Sequence, residues 1–175
     1  MAKPTIPTRT LIAAAMLVAV AGCAKKPPKE LPPPPGGPTQ STQDPNATGQ
    51  NGAIVPGSRA DFQRSVTSDT VNFALDQYDI DARARQILDS QAAWLARFPQ
   101  VRLTIEGHAD ERGTREYNLA LGDRRANSAK NYLGARGVAA ERISTISYGK
   151  ERPLALGSDE SSWAQNRRAV TVTLN

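Results

Sequence analysis

Between Val101 and Arg136 the apolar pattern changes period once, and that change constrains the fold more than any other feature. Val101, Leu103 and Ile105 alternate with polar residues, the period of a half-buried strand. From Leu119 onward the small and apolar residues Gly122, Ala126, Ala129 and Leu133 recur at helical spacing, which predicts an amphipathic helix. Gly107 and Gly113 bracket the intervening loop and are expected to give it the backbone freedom for a sharp exit and re-entry. His108, Asp110, Glu111 and Arg112 crowd between them. Thr114 is placed to cap the helix, Glu116 suits its positive end, and Gly137 is expected as a left-handed C-cap with Val138 in hydrophobic contact. A polar loop that leaves a strand and feeds a helix is a natural place for a small-ligand site.

Helical phase separates two adjacent arginines. Asp123, Arg124, Asn127 and Lys130 fall opposite the apolar stripe, whereas Asn118, Leu121 and Arg125 flank it. Arg124 is therefore expected in solvent and Arg125 against the body of the protein, facing the loop that carries Asp110. Two arrangements fit that placement. The aspartate and the arginine can read a zwitterion, one taking an ammonium and the other a carboxylate in a fork, or they can pair with each other.

The expected folded domain runs from residue 61 to 175. Val71, Phe73 and Leu75 alternate as a first strand, and Asp81 can cap a helix with apolar positions Ala84, Ile87, Leu88, Leu95 and Phe98, ending before Pro99. A third strand spans about residues 143–148, a short helical turn lies near Trp163, and a last strand carries Val170, Val172 and Leu174. The order β-α-β-α-β-β implies an α/β sandwich, two helices on one mixed four-stranded sheet. Asp76 and Asp79, just past the first strand, either contribute to the site or cap and solvate the turn, Asp76 being the stronger site candidate. Asn166, Arg167 and Arg168 are expected at a solvated or ion-paired edge.

Residues 1–22 have the form of a secretory leader. Lys3 and Arg9 precede an apolar run from Leu11 to Ala21, eleven residues, where a bilayer span needs roughly twenty. The leader ends in V-A-G-C, and Cys23 is the chain's one cysteine, so no intrachain disulfide is possible. V-A-G-C resembles the bacterial lipobox, which implies lipidation of Cys23, and Ala24 after it implies sorting to the outer membrane. Residues 23–60 then form an expected disordered linker. Their Pro, Gly, Ser, Thr and Asn content cannot bury enough surface to offset ordering entropy.

Several chemistries are disfavoured. Setting Lys3 and Arg9 aside leaves 20 basic against 17 acidic residues, interleaved and too mild a surplus to argue for nucleic acid. His108 is the only histidine, whereas catalytic zinc sites usually take three protein ligands rich in histidine. No nucleophile elbow or phosphate-binding loop is present. The expectation is a protein without catalytic activity, metal or cofactor, in which His108 is packed or hydrogen-bonded.

Four stretches carry a resemblance: V-N-F-A-L-D-Q-Y-D-I, I-E-G-H-A-D-E-R-G-T-R-E-Y-N-L-A-L-G-D-R-R-A, I-S-Y-G-K-E-R-P and Q-N-R-R-A-V. Together they resemble the OmpA-like family of peptidoglycan-binding domains, in its lipoprotein branch, over about residues 66–175. Ala109 follows the histidine where many relatives have threonine, as is usual in that branch. The resemblance implies non-covalent binding of the peptidoglycan stem peptide through meso-diaminopimelate. Asp110 would take the ligand's ammonium and Arg125 its carboxylate, the turn at Leu75 and Asp76 would add amides or polar contacts, and Asn118 and Leu121 would line the groove. It further implies a lipid-anchored outer-membrane protein whose domain faces the periplasm, a TolB-type periplasmic β-propeller as partner, and a Tol–Pal role in envelope integrity and cell division. The alternative is chiefly a protein-interaction hub, with wall binding secondary.

Overall fold

The computed structural model describes residues 53–174, so the leader, Cys23 and most of the linker lie outside the described residues. The elements are α1 (Arg59–Ser65), β1 (Thr70–Asn72), α2 (Ala82–Arg97), β2 (Arg102–His108), α3 (Arg115–Ala135), a 3-10 turn at Ala140–Arg142, β3 (Ile143–Gly149), α4 (Glu160–Asn166) and β4 (Arg168–Leu174). The sheet is mixed and ordered β1-β4-β2-β3, with β2 parallel to β3 and β4 antiparallel to both β1 and β2. The α/β architecture agrees with the sequence expectation, with α1 and a full helix at α4 added to the two long helices. α1 begins before residue 61. Ser58 caps it by accepting from the Asp61 amide, and its one buried apolar residue, Phe62, meets Trp94 of α2 edge-on at 5.0 Å between ring centres.

The helix signals hold in atomic detail. Asp81 accepts from the Ala84 amide and Thr114 from the Tyr117 amide, so each helix starts where a side chain satisfies an orphan donor. α3 ends with the Val138 amide on Leu133 O and the Gly137 amide on Gly134 O, the paired bonds of a glycine-terminated helix.

Two strand expectations need correction. The ladder of β1 stops at Asn72, and Phe73 adds one last bond to Arg167 O (2.9 Å). The chain then turns, with the Gln77 amide on Ala74 O, and leaves Leu75 57% exposed rather than inward. In β4 the buried face is Ala169, Thr171 and Thr173, while Val170 and Val172 are only half-buried and Leu174 is exposed. Thr171 is tolerated inside because its hydroxyl donates to Gln91 Oε1 of α2 at 2.8 Å, and Gln91 Nε2 donates on to Ser68 O.

Gly107 has a different role from the one expected. Its φ is not positive; instead, a Cβ there would lie 1.8 Å from the carbonyl oxygen of Gly122. α3 therefore rests its backbone directly on β2, and Ser147 of β3 donates to Leu119 O (2.7 Å) to hold the same turn. This contact carries the first turns of α3 over the C-terminal ends of β2 and β3. The freedom to turn sits at Gly113, with φ of 89°.

Candidate functional site

All six residues expected at the ligand site, Leu75, Asp76, Asp110, Asn118, Leu121 and Arg125, line one cleft of about 310 Å³. Arg112, Gly113 and Tyr117 complete its wall. The loop after β2 forms one side, α3 the floor, and the Ala74–Gln77 turn the other side. Asn118 is buried and donates to Arg112 O (2.8 Å), while Lys150 Nζ bonds the carbonyls of Glu111 and Gly113 (3.0 and 2.7 Å). The loop is thus pinned at three of its carbonyls. Across the cleft the Tyr117 hydroxyl donates to Asp76, whose φ of 58° lies in the left-handed region that aspartate tolerates better than most side chains.

Helical phase places the two arginines as expected. Arg125 is 0% exposed and Arg124 is exposed. Leu119, put on the core stripe by spacing, is only half-buried, because the buried face is rotated toward Asn118, Leu121 and Arg125. Arg125 and Asp110 do not pair with each other. The Arg125 guanidinium donates to three backbone carbonyls, Gln77 (2.9 Å), His108 (2.8 Å) and Ala74 (3.2 Å), and it lies 5.3 Å from the centre of the Phe73 ring. Burial pushes its pKa down to about 10, against the pull of the Asp110 charge. It remains a cation at neutral pH, buried beside carbonyl dipoles without a carboxylate in salt-bridge contact.

Asp110 is held in the opposite way. Its Oδ1 accepts from the Arg112 amide and Nε (both 3.2 Å), and its Oδ2 from Arg112 Nη2 (2.7 Å) and Arg167 Nη1 (3.4 Å). Burial raises its pKa, but the bonds from Arg112 and Arg167 outweigh that and hold the carboxyl below its usual range. Arg112 also lies 4.0 Å over the Trp163 ring, whose Nε1 donates to Glu111 (3.0 Å).

Arg112, Arg167, Tyr117 and Trp163 were not singled out as site residues from the sequence. Arg112 had a local signal, a basic residue two positions after Asp110 that can bond back to it. Arg167 had none, since it arrives from 57 residues away as β4 enters the sheet. Of the two expectations for its segment, the ion-paired one holds and the solvated one does not, and β4 is an inner strand of the sheet rather than an edge. Asn166, Arg167 and Arg168 are all buried, Arg167 pairing with Asp110 and Glu160 and Asn166 holding the backbone of Leu154 and Ala155. His108 is packed, as expected, and lies outside the cleft with its ring against Tyr148 (5.5 Å between centres). Burial, then the charges of Arg168 and Arg152, push its pKa down to about 4. Asp79 is not among the residues lining the cleft.

The pattern of the OmpA family matches residues 72–167, more than half of the chain. The chain belongs to the OmpA family. Two relatives are named peptidoglycan-associated lipoprotein and align over most of both chains. The one from Rhizobium meliloti is 51% identical over 93% of this chain and 85% of its own length. The one from Brucella melitensis is 52% identical over 92% and 89%. Among solved structures, the peptidoglycan-associated lipoprotein from Burkholderia pseudomallei superposes with a TM-score of 0.60 at 41% identity, covering 68% of this chain and 96% of that one. Within the OmpA family, this chain groups with the peptidoglycan-associated lipoproteins.

Proposed function

We propose that this protein binds peptidoglycan non-covalently, taking the meso-diaminopimelate of the stem peptide into the Asp110–Arg125 cleft. The observation that carries the reading is Arg125: a wholly buried guanidinium whose hydrogen bonds go to carbonyls alone, at the floor of an open cleft. Burying a charge is costly unless it is paired, and an incoming carboxylate supplies the pair in a sheltered, charge-assisted fork. Asp110 lines the same cleft and supplies the opposite pole for an ammonium. Leu75 and Leu121 offer apolar wall to the methylene chain between the two charges. The shared name of the relatives supports the same ligand class. The reading is binding rather than catalysis, in keeping with relatives named for their association with peptidoglycan.

With Cys23 lipidated in the outer membrane and the domain in the periplasm, such binding ties the membrane to the wall, in keeping with a Tol–Pal role in envelope integrity and division. A second reading, a hub for a TolB-type β-propeller, is favoured by the exposed apolar side chains Leu75, Tyr78 and Tyr117 beside the cleft and by Leu154 and Leu156. Sedimentation with purified peptidoglycan, with and without a competing propeller, separates the two. Wall binding that persists in the presence of the propeller supports the first reading, and wall binding that the propeller abolishes supports the second. In fractionated cells, Cys23→Ser moves the protein from the outer membrane to the soluble fraction if the anchor is there.

A further inference from the structure

The carboxylate of Asp110 is full. A carboxylate offers about four lone-pair sites, and four N–H donors already reach this one, three from Arg112 and one from Arg167. A ligand ammonium cannot simply add itself to that shell; one of the arginines has to give way. Arg167 is fixed on all sides, with Nε on Phe73 O (3.1 Å), Nη2 on Glu160 (2.6 Å) and a side chain only 7% exposed. Arg112 has no other carboxylate in contact, and its side chain is 35% exposed at the cleft wall. It also has a second seat, because its guanidinium already lies over the Trp163 ring, and Glu111 holds that ring through Nε1. Cation–π contact there can keep the arginine once its fork is broken.

We propose that Arg112 is an internal placeholder for the ligand's cation: it occupies Asp110 in the empty cleft and moves along Trp163 when an ammonium takes its position. This deepens the binding reading above and rests on it. The placeholder has two consequences. Asp110 keeps its acceptor sites filled while the cleft is empty, avoiding the cost of a buried carboxylate held by Arg167 and one amide alone. It also sets a threshold, since a ligand gains only the difference between its own ammonium and the arginine. An amine-free ligand, having no group to replace Arg112, leaves the fork closed.

The test titrates the full-length protein in detergent, by calorimetry, with meso-diaminopimelate and with its form acetylated on both amines. Removing the competitor raises the binding-competent fraction, so Arg112→Ala is expected to bind free diaminopimelate about three- to tenfold tighter and the acetylated form unchanged. Weaker binding by Arg112→Ala, or an equal gain for both ligands, overturns the placeholder while leaving the cleft's function standing. No amine-dependent binding by the unaltered protein overturns the reading beneath it as well. A second measurement needs no variant. In 15N spectra the Arg112 Nε–H resonance is expected to move on ligand addition while that of Arg167 stays, and an unmoved Arg112 resonance contradicts the proposal.

Discussion

The two poles of the cleft are built on opposite principles. At the anionic pole, Asp110 is saturated: two arginines and a backbone amide fill its acceptor sites before any ligand arrives. At the cationic pole, Arg125 is buried more deeply yet meets only carbonyl dipoles, with its nearest charged neighbours acting from beyond salt-bridge reach. A saturated pole discriminates, because a newcomer must outcompete a resident. An unsaturated pole drives, because a newcomer relieves a charge that the fold left without a counterion. Affinity should therefore come mainly from the carboxylate end and selectivity from the ammonium end.

The largest expected effect tests the driving pole. Truncating one partner of a sheltered charged pair costs about 2–5 kcal/mol, so Arg125→Ala is expected to lose tens-fold or more in peptidoglycan affinity, measured on folded variants of matched melting temperature. Arg125→Lys keeps the charge but not the fork, and is expected to recover only part of that loss.

Behind Arg125 stands His108, whose carbonyl accepts one of its three bonds. The imidazole takes a proton near pH 6.5 when unfolded but only near 4 when folded. Over that window the unfolded state binds more protons, so stability falls as pH drops from about 6.5 and the loss is complete below about 4; above 6.5 the group contributes nothing. A shift of that size corresponds to about 3 kcal/mol. Denaturation measured against pH should show the decline, and His108→Gln should flatten it in that window alone. The same slope in both proteins would place the acid sensitivity on the carboxylates, Asp110 among them, whose contribution is lost at lower pH.

At the discriminating pole the expected loss is smaller. Asp110→Asn removes the charge that receives the ammonium and also releases Arg112 and Arg167, for a cost of about 2 kcal/mol in binding. Its signature is loss of preference for the free amine over the acetylated ligand. Smallest of all is Arg124→Ala, below about 1 kcal/mol, as for exposed charges in general. Equal losses at 124 and 125 would remove the contrast between the poles.

The parts of this arrangement that were legible in the sequence are those set by local period. Arg125 could be told from Arg124 because one residue of helical phase separates them. Asp110 stood out because it shares a short loop, closed by Gly113, with three other polar residues. The parts that were not legible depend on distant partners. Arg167 reaches Asp110 only because β4 inserts between β1 and β2, an order no local pattern reports. The inward face of β4 is carried by Thr171 and Thr173 rather than by its valines, because Gln91 of α2 satisfies Thr171. α1 hid within a polar stretch, having one buried apolar residue, Phe62, that finds its partner in Trp94. Gly107 was visible as a glycine, but its task, admitting the backbone of Gly122, follows only from the packing of α3.

The central claim, that Arg125 meets the ligand's carboxylate, is tested most directly by altering both partners at once. Calorimetric titration of stem peptides carrying either free or amidated diaminopimelate carboxylate, against the unaltered protein and Arg125→Ala, forms a closed cycle of four affinities. If the two groups meet, amidation weakens binding to the unaltered protein by tens-fold and barely affects Arg125→Ala. Equal losses on amidation in both proteins would mean that the carboxylate sits elsewhere, and that Arg125 serves only to hold the carbonyls of Ala74, Gln77 and His108.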